Sequence, residues 1–234
     1  PPRSTLFPYT TLFRSIGTVA RASIDLGAGS DKLTFGNFVN VATVGDVETL
    51  VGGSSNDSIT LTSALTSSSN INLGAGADKL TLANVANTGS AVGVETLIGG
   101  SSSDDITLGA VFSQGSIDLA AGADSLTLGN FANTGTVSNV ESLLGGSAAD
   151  TIALGSALTS GTTIDLGVGA DKLMLGNFTN TGTISNVETI VGGTGNDTVS
   201  VATLVSNGVI DLGAGVDKVS LGDFANVASL SNAE

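Results

Sequence analysis

Residues 164–200 read "IDLGVGADKLMLGNFTNTGTISNVETIVGGTGNDTVS", and three features of this stretch recur through the chain at a fixed step. Asp171 closes "LGVGAD", and the matching turns close at Asp31, Asp78, Asp124 and Asp217. Asp197 closes "GGTGND", with copies at Asp57, Asp104 and Asp150, and Glu188 recurs as Glu48, Glu95, Glu141 and Glu234. Neighbouring members of each series stand 46 or 47 residues apart. A period of that size is the mark of a repeat architecture, in which each unit buries its apolar face against the next.

Within one period the apolar residues alternate. Leu80 and Leu82 stand between Lys79 and Thr81, Ile59 and Leu61 between Ser58 and Thr60, and Ile117 and Leu119 flank Asp118. Alternation over such short runs predicts strands with one buried face. Gly, Asn, Asp and Ser fill the intervals, as turns require. No run keeps a 3.6-residue apolar period long enough for a helix. The expected fold is an all-β parallel β-solenoid, a β-roll or β-helix of about five 46–47-residue repeats. Four strands per repeat, with both Asp turns on one edge, give two coils of about 23 residues each and a rod ~48 Å long. A single wide coil per repeat is the alternative.

Stacking accounts for two residue series without a ligand. Phe38, Phe131, Phe178 and Phe224 recur at one position and are expected to form an internal aromatic stack. Asn37, Asn84, Asn130 and Asn177 are expected to bond to their copies as an amide ladder.

Composition narrows the chemistry. The 234 residues include 33 glycines, 21 acidic and 7 basic residues, and neither histidine nor cysteine. Disulfides, thiolate metal sites and imidazole catalysis are thereby excluded. All acidic residues follow Arg21, so such a surface repels nucleic acid and anionic lipid and attracts divalent cations. The apolar runs are too short for a transmembrane helix.

Gly192–Ser200, "GGTGNDTVS", fits the nonapeptide G-G-x-G-x-D-x-U-x at every specified position, with Val199 as the large apolar residue. Here the chain resembles the RTX family, the calcium-binding β-roll repeats of secreted bacterial toxins, proteases and adhesins. The resemblance implies that Gly192, Gly193 and Gly195 offer turn carbonyls and Asp197 a carboxylate to Ca²⁺. It implies the same role for Asp31, Asp57, Asp78, Asp104, Asp124, Asp150, Asp171 and Asp217. The other three "GG" turns carry Ser55, Ser102 or Ala148 in place of the third glycine, and the "LGAGAD" series has leucine in place of the first. Family β-rolls use coils of 18 residues with glycine turns on both edges, shorter than the coils expected for this chain.

Electrostatics points the same way independently. Carboxylates stacked at ~4.8 Å repel by about 3 kcal/mol per neighbouring pair at an effective dielectric near 20. Nine in a row need a cation or raised pKa values, and hard oxygen ligands suit Ca²⁺. The competing reading has each Asp cap its own turn through backbone N–H groups. Asp25, Asp118, Asp165 and Asp211 are read as outward strand residues, the Glu series as a solvated face, and Lys32, Lys79, Lys172 and Lys218 as partial compensation of charge.

These features favour a calcium-binding structural or adhesive module of a large secreted or surface-attached bacterial protein, meeting an extracellular polymer or surface through flanking domains. For the family, metal-gated folding outside the cell serves type I secretion, and the resemblance implies the same here. A polysaccharide-acting β-solenoid enzyme is the weaker alternative, because an active site breaks repeat symmetry at one place and no such cluster is seen. An ice-binding solenoid would need aligned threonines, and Thr34, Thr81 and Thr127 continue only as Met174 and Ser220. The opening "PPRSTLFPYTTLFRS" holds all three prolines and the single tyrosine, and Thr5–Ser15 resembles a translated sequencing adapter. Residues 1–15 are therefore read as non-native and 16–234 as one solenoid domain truncated at both ends, a fragment of an assembled read.

Overall fold

The alternation of apolar and polar residues places one face of each strand inside. In Asn70–Gly74, Ile71 and Leu73 are buried while the residues between them are not. In Ser58–Leu61, Ile59 and Leu61 face inward in the same way. A computed structural model describes residues 12–15 and 17–234. The chain is an all-β parallel solenoid, with twenty-four short strands and no helix among the described residues.

Each 47-residue repeat holds five strands rather than the expected four. From Lys32 they are Lys32–Thr34, Val41–Gly45, Thr49–Gly53, Ser58–Leu61 and Asn70–Gly74, after which Lys79–Thr81 begins the next copy. Within each unit, each strand pairs in parallel with the strand two places along the chain. Lys32 lies opposite Thr49, Thr49 opposite Asn70, and Ser58 opposite Lys79. One coil is therefore 17 or 21 residues at these positions, and one repeat makes two and a half coils. The expected coils of about 23 residues, and the alternative of one wide coil, are both replaced by this shorter turn. An odd number of strands also sends successive copies of any strand to opposite sheets.

The chain divides into two compact units, the first running to Ala110 and including Leu119–Ala123, the second comprising Val111–Asp118 and Asp124–Glu234. In each unit alternate strands build two parallel sheets that enclose an apolar core. Parallel sheets of this kind bury near-continuous aliphatic columns. In the first unit Leu33, Leu50, Ile71 and Ala91 align across four strands, all at most 1% exposed. In the second, Leu173, Ile190 and Ile210 align likewise.

The aromatic series departs from expectation. Phe38, Phe131, Phe178 and Phe224 are 42, 43, 36 and 53% exposed, so they form no internal stack. Each sits on a turn, and a Cβ added to Gly36, Gly176 or Gly222 would meet the ring of the phenylalanine two residues on. These rings lie over their own turn glycines, and the buried aromatics among the described residues are instead Phe35 and Phe112, 3 and 1% exposed. The threonine series is also dispersed. Within the first unit Thr34 and Thr81 stand on strands of different sheets, so they share no column. The hydroxyl column that does form in the second unit, Ser125, Ser142, Thr163, Thr183, Ser200 and Ser220, is assembled from other positions of the repeat.

Leu12–Arg14 add an edge strand to Lys32–Thr34, with Phe13 opposite Leu33 and all three side chains exposed. Residues 1–11 of the adapter-like stretch lie outside the described residues.

Candidate functional site

The residue immediately before a strand decides what happens at the edge of each coil. In the first full repeat those residues are Asp31, Asn40, Glu48, Asp57 and Ser69. The side-chain oxygens of Asn40, Glu48 and Asp57 each accept the backbone N–H of the corresponding residue one coil earlier. In the first unit Asn40 Oδ1 accepts from Val19 (3.1 Å), Asp57 Oδ1 from Asn40 (2.9 Å), Asp78 Oδ1 from Asp57 (2.6 Å) and Glu95 Oε2 from Asp78 (2.8 Å). The second unit repeats the run as Asn133, Asp150, Asp171 and Glu188, and again as Asn180, Asp197, Asp217 and Glu234.

These Asn–Asp–Asp–Glu relays bind coil to coil. Their aspartates are almost wholly buried: Asp57, Asp78, Asp150, Asp171, Asp197 and Asp217 are at most 1% exposed. Burial is tolerable because Oδ1 is satisfied by N–H donors, and a buried carboxylate without them would be costly. Asn133 carries most at one position. Its Oδ1 accepts from Phe112 N–H, and its Nδ2 donates to the carbonyls of Gly129 and Phe131 and to Asp150 Oδ1.

Three expectations change as a result. The ladder amides are Asn40, Asn87, Asn133 and Asn180, each fully buried, and not Asn37, Asn84, Asn130 and Asn177 three residues earlier. The Glu series is no merely solvated face, since Glu48, Glu95, Glu141, Glu188 and Glu234 each accept the backbone N–H of an aspartate 17 residues before. The nine aspartates do not stand in one row, because the five-strand repeat assigns Asp57 and Asp78 to turns entering one sheet and Asp31 to a turn entering the other. Along one edge the series comes as pairs, such as Asp57 with Asp78, Asp150 with Asp171 and Asp197 with Asp217.

The glycine pair of the nonapeptide has a packing reason of its own. A Cβ on Gly192 would meet the Leu212 carbonyl of the next coil, and one on Gly193 the Gly176 carbonyl of the coil before. Gly52 and Gly145 stand in the same way against the carbonyls of Leu73 and Leu166. Gly192→Ala is therefore expected to destabilise the fold by about 1–3 kcal/mol through overpacking, read as a lower urea midpoint.

One oxygen of several relay aspartates is left over. The Oδ2 atoms of Asp78, Asp150, Asp171, Asp197 and Asp217 are buried with no hydrogen-bond partner. Burial lifts the carboxyls of Asp78 and Asp171 to about 6, the N–H bonds from Asp57 and Asp150 opposing it and the neighbouring charges adding to it. Asp197 is raised for the same first reason, against the hydrogen bonds from Asn180. The half-buried Asp211 is lowered instead, chiefly by the hydrogen bond from Asn232. Among the described residues no group of three or more acidic side chains converges on one point. A cation at these turns would rely on a pair of carboxylates with backbone carbonyls.

Comparison with known proteins finds no matching family model, no matching curated protein and no matching solved structure.

Proposed function

We propose that the chain is a structural repeat module of a secreted or surface-attached protein, in which Ca²⁺ held at the relay aspartates locks successive coils together. The observation that carries this reading is the set of buried Oδ2 atoms without a hydrogen-bond partner. Unsatisfied buried carboxylate oxygens are costly, and a hard divalent cation is the ligand that such oxygens suit. The residues present fit that ion in kind: paired aspartates on consecutive coils and turns rich in backbone carbonyls. When bound, Ca²⁺ neutralises charge and supplies coordination that the hydrogen bonds leave open. Asn133 and Asn180 orient the first aspartate of each pair, and the backbone N–H of that aspartate orients the second.

The repeats are near-copies, and the relay consumes the polar side chains of their edges in hydrogen bonds between coils. A mechanical or adhesive role uses such uniformity, whereas catalysis needs a place where it breaks.

Circular dichroism melts in millimolar Ca²⁺ and in excess chelator test the reading. A ligand present at a hundred times its dissociation constant stabilises the native state by about 2.7 kcal/mol, so Ca²⁺ is expected to raise the melting temperature by several degrees. Superimposable melts would overturn it.

A further inference from the structure

The relay aspartates differ in what their second oxygens do, and this difference bears on which pairs take a cation. At Asp150 with Asp171, and at Asp197 with Asp217, both Oδ2 atoms are buried and without a hydrogen-bond partner. At Asp57 with Asp78 only the Asp78 oxygen is in that state, because Asp57 Oδ2 accepts the Gly53 N–H at 3.3 Å. Otherwise the three pairs are built alike. In each, the N–H of the first aspartate donates to Oδ1 of the second at 2.6 or 2.7 Å, and both residues are at most 1% exposed.

We infer that divalent cations bind selectively in the second unit, one at Asp150/Asp171 and one at Asp197/Asp217, and pass over Asp57/Asp78. The inference rests on the proposed calcium reading and goes past it. Two anionic oxygens on consecutive coils give an ion a bridging seat, while a single oxygen beside a carboxylate already satisfied by an amide does not. The nonapeptide pattern alone would choose differently. Gly145–Asp150, "GGSAAD", departs from the pattern at its third glycine as Gly52–Asp57, "GGSSND", does, and only Gly192–Asp197 keeps it.

The full chain, amide-labelled, is titrated with Mn²⁺ as a paramagnetic probe in competition with Ca²⁺. Amide signals of residues 150, 171, 197 and 217 are expected to broaden at substoichiometric Mn²⁺ and to recover with Ca²⁺, while those of 57 and 78 stay sharp. Equal broadening at all three pairs would overturn the selectivity but leave the calcium reading standing. An absence of broadening at every pair would overturn both. Calorimetric titration with Ca²⁺ gives the count independently. Asp171→Asn and Asp217→Asn should each lose one bound ion, and Asp78→Asn none. A loss of one ion in Asp78→Asn also sinks the inference. The Mn²⁺ experiment needs no substitution, so it holds even where a variant fails to fold.

Discussion

Asn133→Leu is expected to lower the stability of the second unit by about 4 kcal/mol, with a side chain of the same branching but no polar atoms. The leucine leaves the Phe112 N–H without its acceptor and takes the Asn133 amide from the carbonyls of Gly129 and Phe131, of which Gly129's keeps the N–H of Phe131. It also strips Asp150 Oδ1 of one of its two donors. Each buried polar group so stranded costs about 1–3 kcal/mol, and partial relaxation toward solvent at the turn reduces the sum. Asn130→Leu, three residues earlier on an exposed position of the same turn, is expected to stay within about 0.5 kcal/mol. Urea denaturation of the two variants separates the cases. Equal midpoints would show that the relay adds nothing to the cohesion of the coils.

That contrast marks where the sequence speaks clearly and where it does not. The solenoid is legible because Leu, Ile and Val alternate with Ser, Thr and Lys in strands too short for any other arrangement. The coil length is not, because one strand hides its alternation in the middle repeats. In Thr181–Ser185, "TGTIS", the inward positions are Gly182 and Ile184, and a glycine gives no apolar signal. Missing that strand turns five into four and places all the aspartates on one edge. The relay amides have a signal of their own: Asn40, Asn87, Asn133, Asn180 and Asn226 recur in five copies without a break, whereas the series beginning at Asn37 ends at Asp223. Their shared position, the last residue before a strand, is also that of the relay Asp and Glu residues. The exposure of the phenylalanines follows from a local preference that no periodicity reports, the cover a ring gives to a glycine two residues away. Which aspartate oxygens remain unsatisfied depends on single turn geometries, as at Gly53, which leave no mark on the repeat pattern.

Without metal, the protein is expected to be more stable at pH 5 than at pH 7.5. Asp78 and Asp171 have carboxyl pKa values raised from 3.8 to about 6, first by burial, so the folded chain holds protons there that the unfolded chain releases. Where the native state binds more protons, stability falls as pH rises. The contribution of these groups is fully present below about pH 4 and is lost as the pH climbs through about 6. With screening by solvent at the turn, a shift of this size corresponds to on the order of 1–2 kcal/mol for each aspartate, one in each unit. Asp211, lowered by Asn232, acts in the opposite direction only around and below its ordinary value. The check is a series of urea denaturation midpoints on metal-free protein from pH 4.5 to 8, with Asp171→Asn as the control. The midpoint should fall through pH 6 in the native sequence and fall less in the variant, whose amide cannot titrate. Ca²⁺ at Asp171 should flatten that residue's part of the curve by favouring its ionised form. A midpoint that rises with pH in the absence of metal would mean that these carboxylates are already ionised in the fold, held by interactions other than the relay.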